Sequence, residues 1–399
     1  MKKIISFYEK AEINKLLMLT FFLTVFSYMI FPFLAIYTIN KGEITVTQVG
    51  TIIGIGAFST SISSLFSAQI SKRIGYRNTI VLGLIFISIS YLGYVYAKSF
   101  LVCFLIILLS GIGQGMINPV IKSMIAIVKG EEDSSRIFRI RYMLLCFGII
   151  VGPILGNLIY IKSVNLIFYL VFVSHILLIF FVLTIKDEKD KNLGENKDEN
   201  KVKVKGLKMP IIIITLLSIL VFTVFSIFES VTPIAINEFT INSSQVFSIL
   251  IIYNSILALL IQPLIIILEK KFSFEGLFKI GAFLFAVAYL SFFVSKGNVV
   301  LLLISTTIFT LGEGILIPML DTLVDKASTE EDKSAFFAFS ELKQLGFFIG
   351  PALASLIIDK GSVALMYIIT SILCLCVIMV FDLLYNIKFK IKVKNDSCI

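Results

Sequence analysis

Long apolar runs separated by short polar breaks dominate the chain. The runs lie near residues 14–39, 47–70, 78–97, 100–128, 137–160, 164–186, 209–237, 244–268, 277–295, 299–326, 334–358 and 362–386. Each is about 20 residues or longer, the length that carries a helix across ~30 Å of hydrocarbon. The pattern predicts twelve spanning helices, because hydrocarbon offers no partner to a free backbone N–H or C=O. One break is different in kind. From Lys186 to Lys208 the chain reads KDEKDKNLGENKDENKVKVKGLK, charged and without aromatics, which predicts a flexible linker. It divides the chain into a bundle at 1–186, a linker at 187–208 and a second bundle at 209–399.

The two halves repeat each other. GIIVGPILGN (Gly148–Asn157) lies over GFFIGPALAS (Gly346–Ser355), and GQGMINPVIKSMIAIV (Gly113–Val128) over GEGILIPMLDTLVDKA (Gly312–Ala327). A period of half the chain predicts two structural repeats of like topology. Within each, small residues let the fifth helix approach a neighbour closely and proline bends it.

Composition agrees. The chain is 58% hydrophobic and 15% charged, with a mean hydropathy of +0.99, a balance typical of membrane proteins rather than soluble domains. Basic residues cluster on one set of breaks: Lys2, Lys3, Lys10 and Lys15; Lys72, Arg73 and Arg77; Lys129, Arg136, Arg139 and Arg141; the linker lysines; and Lys388 to Lys394. The alternate breaks hold single lysines, such as Lys41, Lys98 and Lys360. The asymmetry predicts both termini in the cytoplasm. It also accounts for the net charge of +9 through contact with anionic lipid, without nucleic acid as a partner. The first apolar run is too long for a cleavable signal, and no A-x-A site follows it. Cys103, Cys146, Cys374, Cys376 and Cys398 have no zinc-ligand spacing and are expected as free thiols.

At the glycine-proline stretch the chain resembles the major facilitator superfamily, and within it the twelve-span bacterial drug/proton antiporters. Gly148, Gly152, Pro153 and Gly156 match the fifth-helix antiporter motif, with Asn157 in place of a final glycine. AQISKRIGYRN resembles the family's signature between spans two and three through Arg73, Gly75 and Arg77. It departs at Ala68, in place of a glycine, and at Lys72, in place of an acid. Ile107 stands where an arginine is usual in span four. The resemblance implies two six-helix bundles, an all-α multi-pass fold in the plasma membrane, and alternating access driven by an ion gradient.

Charges inside spans cost about 2.5–3.5 kcal/mol each on insertion scales, so the few present are the candidate chemistry. Glu313 lies about 14 residues, roughly 21 Å, from the outer end of span ten. Glu229 lies in span seven, on the outer side of the midplane. Both are expected to exchange protons and to attract cations. The G-E dipeptide before a proline in span ten is similar to a substrate- and proton-linked acid of multidrug antiporters. Lys122 and Asp321 are repeat equivalents of opposite charge and are expected as an inner gate pair, with Arg141 and Glu341 as a second. Gln114, Asn118, Asn254 and Gln262 are the expected polar residues of the cavity. His175, the only histidine, is expected to be structural.

No G-x4-G-K-[ST] loop marks an ATP site, and no nucleophile–base set or metal cluster marks an enzyme. The resulting expectation is a cofactor-free, monomeric secondary transporter, exporting hydrophobic or cationic small molecules against proton entry. A carrier for one metabolite (a sugar, amino acid or siderophore) and a non-transporting membrane sensor are the alternatives.

Overall fold

In the computed structural model, residues 2–39, 44, 46–129, 133–160, 163–186, 209–230, 232–237, 239, 243–329 and 331–384 are described. They form helices joined by short turns, with no strand among the described residues. The first half gives α1 (Lys2–Ile39), α2 (Val46–Ile74), α3 (Tyr76–Tyr96), α4 (Phe100–Val128), α5 (Ser134–Tyr160) and α6 (Val164–Leu183). The second gives α7 (Met209–Ser230), α8 (Thr232–Asn237), α9 (Ser243–Leu260), α10 (Gln262–Lys271), α11 (Phe274–Ser295) and α12 (Val299–Ala327). It closes with α13 (Lys333–Ser340), a 3-10 turn (Glu341–Leu345), α14 (Gly346–Lys360) and α15 (Val363–Leu384).

Ten of these helices are long and apolar enough to cross a membrane, and eleven if α9 and α10, bent by 49°, are one span. Of the twelve expected spans the remaining one is α2. It has the length, at 29 residues, and carries buried hydroxyls at Thr60, Ser64, Ser67 and Ser71.

The chain divides into two compact units, Met1–Leu207 with Ser328–Leu342, and Lys208–Ala327 with Lys343–Ile399. Inside each, the same helix pairs pack: α1 on α5, α2 on α4, α3 on α4 and α3 on α6 in the first; α7 on α14, α9 on α12, α11 on α12 and α11 on α15 in the second. The glycines that match in sequence occupy matching contacts. A Cβ on Gly113 would meet the Gly83 carbonyl 2.6 Å away, and one on Gly312 the Gly281 carbonyl at 2.9 Å. Gly148 abuts Thr24 on α1, and Gly346 abuts Phe222 and Thr223 on α7. The glycine-proline stretch therefore recurs because each fifth helix packs its backbone against the first helix of its own bundle.

The second unit breaks the symmetry twice. Where α2 is one continuous helix, α9 and α10 bend at Ile261, ahead of Gln262 and Pro263, because a proline removes one backbone donor and crowds the preceding turn. Where α5 is continuous, the eleventh span is interrupted by the 3-10 turn at Glu341–Leu345. The segment before that turn, Ser328–Leu342, clusters with the first-half helices and not with its own half. The expected boundaries at 186 and 208 fall at the edge of, and inside, residues 187–208, which lie outside the described residues.

Candidate functional site

Glu313 sits on α12 and is 6% exposed. One turn earlier, Phe309 stacks on Phe228 of α7 with ring centroids 4.3 Å apart, and on Phe285 of α11 at 4.7 Å. This aromatic cluster packs three helices of the second unit, and its apolar bulk keeps water from the carboxylate's own helix face. Polar support comes from α9. Asn254 Nδ2 donates to Glu313 Oε2 at 2.8 Å and to Thr310 Oγ1 at 2.9 Å. Glu229 lies exposed near the C-terminal end of α7, within electrostatic reach of Glu313.

The other expected polar residues divide. Gln114 and Asn118 are half-buried on α4 in the first unit. Gln262, expected on the cavity side, is fully buried instead, and its Nε2 donates to the Ala258 carbonyl at 3.1 Å. Its amide secures the bend between α9 and α10, where the regular backbone ladder is interrupted. Thr310 went unnoticed in the sequence. Its signal was its spacing, one turn from both Thr306 and Glu313.

The expected gate pairs are Lys122 with Asp321 and Arg141 with Glu341. Lys122 Nζ on α4 lies 2.7 Å from Glu341 Oε1, with side chains 3% and 2% exposed. Asp321 Oδ1 on α12 lies 3.6 Å from Lys343 Nζ, which also stands over the Phe222 ring at 4.8 Å. Glu341 and Lys343 both belong to the 3-10 turn, two residues apart, and fall in different units. Arg141 is buried on α5.

Around the Lys122–Glu341 pair, α13 is fastened to α2 and α4. Ser64 Oγ donates to the Ala338 carbonyl at 3.0 Å, and Ser71 Oγ lies 3.3 Å from Ser334 Oγ. Lys333 Nζ donates to the Ala126 carbonyl at 2.9 Å, near the C-terminus of α4, where the helix dipole favours a cation. Phe337 packs on Phe138 of α5 with centroids 5.7 Å apart. The sequence signal for this seam was the α2 hydroxyls at 60, 64, 67 and 71, one stripe at helical spacing.

The loop residues behave as local geometry dictates. Gly75 alone joins α2 to α3 and adopts φ 92°, a conformation that L side chains rarely take. Lys72 and Arg73 are exposed beside it, and Arg77 is half-buried. In the fifth-helix motif, a Cβ on Gly152 would lie 2.7 Å from the Val25 carbonyl. Pro153 and Gly156 follow within α5. His175 is fully buried on α6 between Phe26 and Tyr91, with Nδ1–H donating to the Val171 carbonyl at 2.7 Å, a structural placement. Cys103, Cys146, Cys374 and Cys376 are free thiols; Cys398 lies outside the described residues.

Known proteins resemble the chain along most of its length. The profile of the Major Facilitator Superfamily matches residues 16–342 and 214–395. The chain is 26% identical over 339 residues to YqjV, an uncharacterized MFS-type transporter of Bacillus subtilis, covering 83% of this chain and 82% of that protein. It is 23% identical over 329 residues to multidrug resistance protein 1 of the same species, covering 80% and 83%. Among solved structures, the fucose–proton symporter FucP of E. coli superposes with a TM-score of 0.78 at 12% identity, over 93% of this chain and 98% of the other, a likeness of fold alone.

Proposed function

This chain belongs to the major facilitator superfamily, and from that premise we propose that this multi-pass membrane transporter couples proton entry to the export of hydrophobic or cationic small molecules. The observation that carries the proposal is the carboxylate of Glu313, 6% exposed within a spanning helix and held by Asn254, whose amide also bonds Thr310. An ionisable group so placed is expensive to insert and is retained where it moves protons or meets substrate. Glu229 supplies a second acid at the end of α7. Resemblance to multidrug resistance protein 1 supports a broad, apolar substrate class. Discontinuous spans support a transport site in the second unit, since interrupted helices free backbone groups and side chains for ligands.

The test is uncoupler-sensitive uptake of a cationic fluorescent dye into everted vesicles carrying the full chain. Glu313→Gln removes the titrating group and keeps the shape. Proton-driven dye movement then falls about tenfold or more, the rate equivalent of roughly 1.4 kcal/mol, and Glu229→Gln falls by less. Intact protein that moves no dye overturns the export reading and leaves a carrier of one metabolite.

The same proposal assigns the inner gate to α13, with Lys122–Glu341 as its latch and Asp321–Lys343 as its neighbour. A disulfide between Ser71→Cys and Ser334→Cys, whose hydroxyls lie 3.3 Å apart, freezes the docked state. Oxidation of that double variant is expected to stop transport and reduction to restore it. Undiminished transport by the fully cross-linked protein removes α13 from the gate.

A further inference from the structure

One face of α7 carries Ser218, Phe222 and Phe225 at helical spacing. Two charged residues of the same unit, Asp321 and Lys343, stand against it. Lys343 Nζ lies 4.8 Å from the centre of the Phe222 ring and 3.6 Å from Asp321 Oδ1, with both charged side chains 9% exposed. A charge-assisted bond to a carboxylate closes to about 2.7–2.9 Å, and Lys122 reaches that length, 2.7 Å, on Glu341. The Lys343 ammonium stands instead between a carboxylate and a π face, whose quadrupole attracts a cation.

The ring belongs to an aromatic wall. Phe347 meets Phe222 and Phe225 edge-on, each at 5.9 Å, and Phe225 stacks on Phe309 at 5.9 Å. Phe222 is buried, whereas Phe225 and Phe347 are half-buried, which leaves part of each of those rings uncovered. Ser218 supplies a second, independent sign. It is fully buried, and its Oγ has no hydrogen-bond partner. A buried hydroxyl left without a partner is costly and calls for a ligand or a reason. One turn from Phe222 on the same face, its oxygen offers lone pairs to a cation.

We propose that the Phe222 ring, the Asp321 carboxylate and the Ser218 hydroxyl form a site for a monovalent organic cation, and that Lys343 is its tethered occupant, displaced when substrate binds. The inference rests on the reading of this chain as an exporter of cationic molecules, and it adds the residue that sets which cations are taken. Lysine carries a compact, strongly hydrated charge on a flexible four-carbon stem. Keeping that charge from water is costly, so a bulky cation with spread charge and apolar flanks gains more from the same ring and carboxylate. The stem lets the ammonium leave the ring while the backbone of the 3-10 turn stays in place. Asp321 then faces a cation in both states, first the lysine and then the substrate. Lys343 works as a threshold: cations that bind the ring more weakly than the lysine are turned away.

The probe is tetraphenylphosphonium, with triphenylphosphine oxide as its neutral counterpart. Binding to the purified full-length protein in detergent is measured beside uncoupler-sensitive transport in proteoliposomes. Apparent affinity scales with the fraction of molecules whose site is vacant. Lys343→Met empties the site and is expected to bind the cation about tenfold more tightly, the gain where the lysine fills about nine sites in ten. Affinity for the neutral probe stays unchanged. Lys343→Arg, which keeps a cation for the ring, stays near wild type. Phe222→Leu retains both charges and loses affinity for the cation, and in that background Lys343→Met brings little gain. The inference is overturned when Lys343→Met tightens neither probe or both alike. Wild-type affinity in Phe222→Leu overturns it too, and that variant decides the matter should Lys343→Met fold poorly. Where the wild type still moves the cation, these results sink the inference alone. Failure of both wild type and Lys343→Met to bind or move it sinks the export reading as well.

Discussion

Lys122→Ala is expected to destabilise the protein by about 3–5 kcal/mol, the range for breaking a buried ion pair by removing one partner. The Nζ–Oε1 distance is 2.7 Å and both side chains are almost wholly buried. Deleting the lysine removes a cation held 2.7 Å from the buried Glu341 carboxylate. The check is thermal unfolding in detergent, followed alongside dye transport. Glu341→Gln breaks the pair from the other side and is expected to lose a comparable amount. Joint replacement, Lys122→Met with Glu341→Leu, removes both charges and recovers much of the stability, because the loss comes from the uncompensated charge more than from the pair itself. Wild-type melting of both single variants rules out the pair as a structural latch. Breaking the Asp321–Lys343 pair has a smaller effect, since it spans 3.6 Å and Lys343 keeps the Phe222 ring as a second partner.

A comparably large effect is expected at a residue with no side chain. A Cβ on Gly346 would lie 2.5 Å from the Thr223 backbone nitrogen and 2.6 Å from the Phe222 carbonyl carbon. Backbone atoms cannot rotate away as a side chain can, so Gly346→Ala forces α14 off α7. The movement also strains the bond from Ser226 Oγ to the Gly346 carbonyl, now 2.9 Å. Overpacking of this kind costs about 1–3 kcal/mol, and lower membrane yield and earlier unfolding are the measured signs. Gly54→Ala is the control, as nothing lies within 4 Å of its Cβ position. Gly148→Ala falls between the two, because its nearest obstacle is the Thr24 side chain. Equal stability of the Gly346 and Gly54 variants refutes the close approach of α14 and α7.

These cases show what was legible before folding. The bundles were legible because lipid requires continuous apolar helices, and that requirement is written residue by residue. The glycine-proline repeat was legible because close helix contact requires glycine at the contact itself. Glu313 and Glu229 stood out because ionised groups are rare in apolar runs. The second span was legible from its length and placement.

The partners were another matter. Lys122 and Asp321 share a repeat position and opposite charge, yet each is held by a neighbouring residue of the Glu341–Lys343 turn. Sequence symmetry alone did not reveal that the eleventh span breaks into a 3-10 turn while the fifth stays continuous. Nor did it show that Ser328–Leu342 packs with the first-half helices, since Ser64, Ser71 and Lys333 gain meaning only once α13 lies against α2 and α4. The sequence by itself determined the helices, the doubled plan and the acids embedded in the spans, because each follows from the local free energy of a residue in lipid. Only the tertiary structure decided that Glu341 answers Lys122 and that Asn254 holds Glu313, because hydrogen bonds and ion pairs form over about 3 Å and depend on where separate helices bring their side chains together.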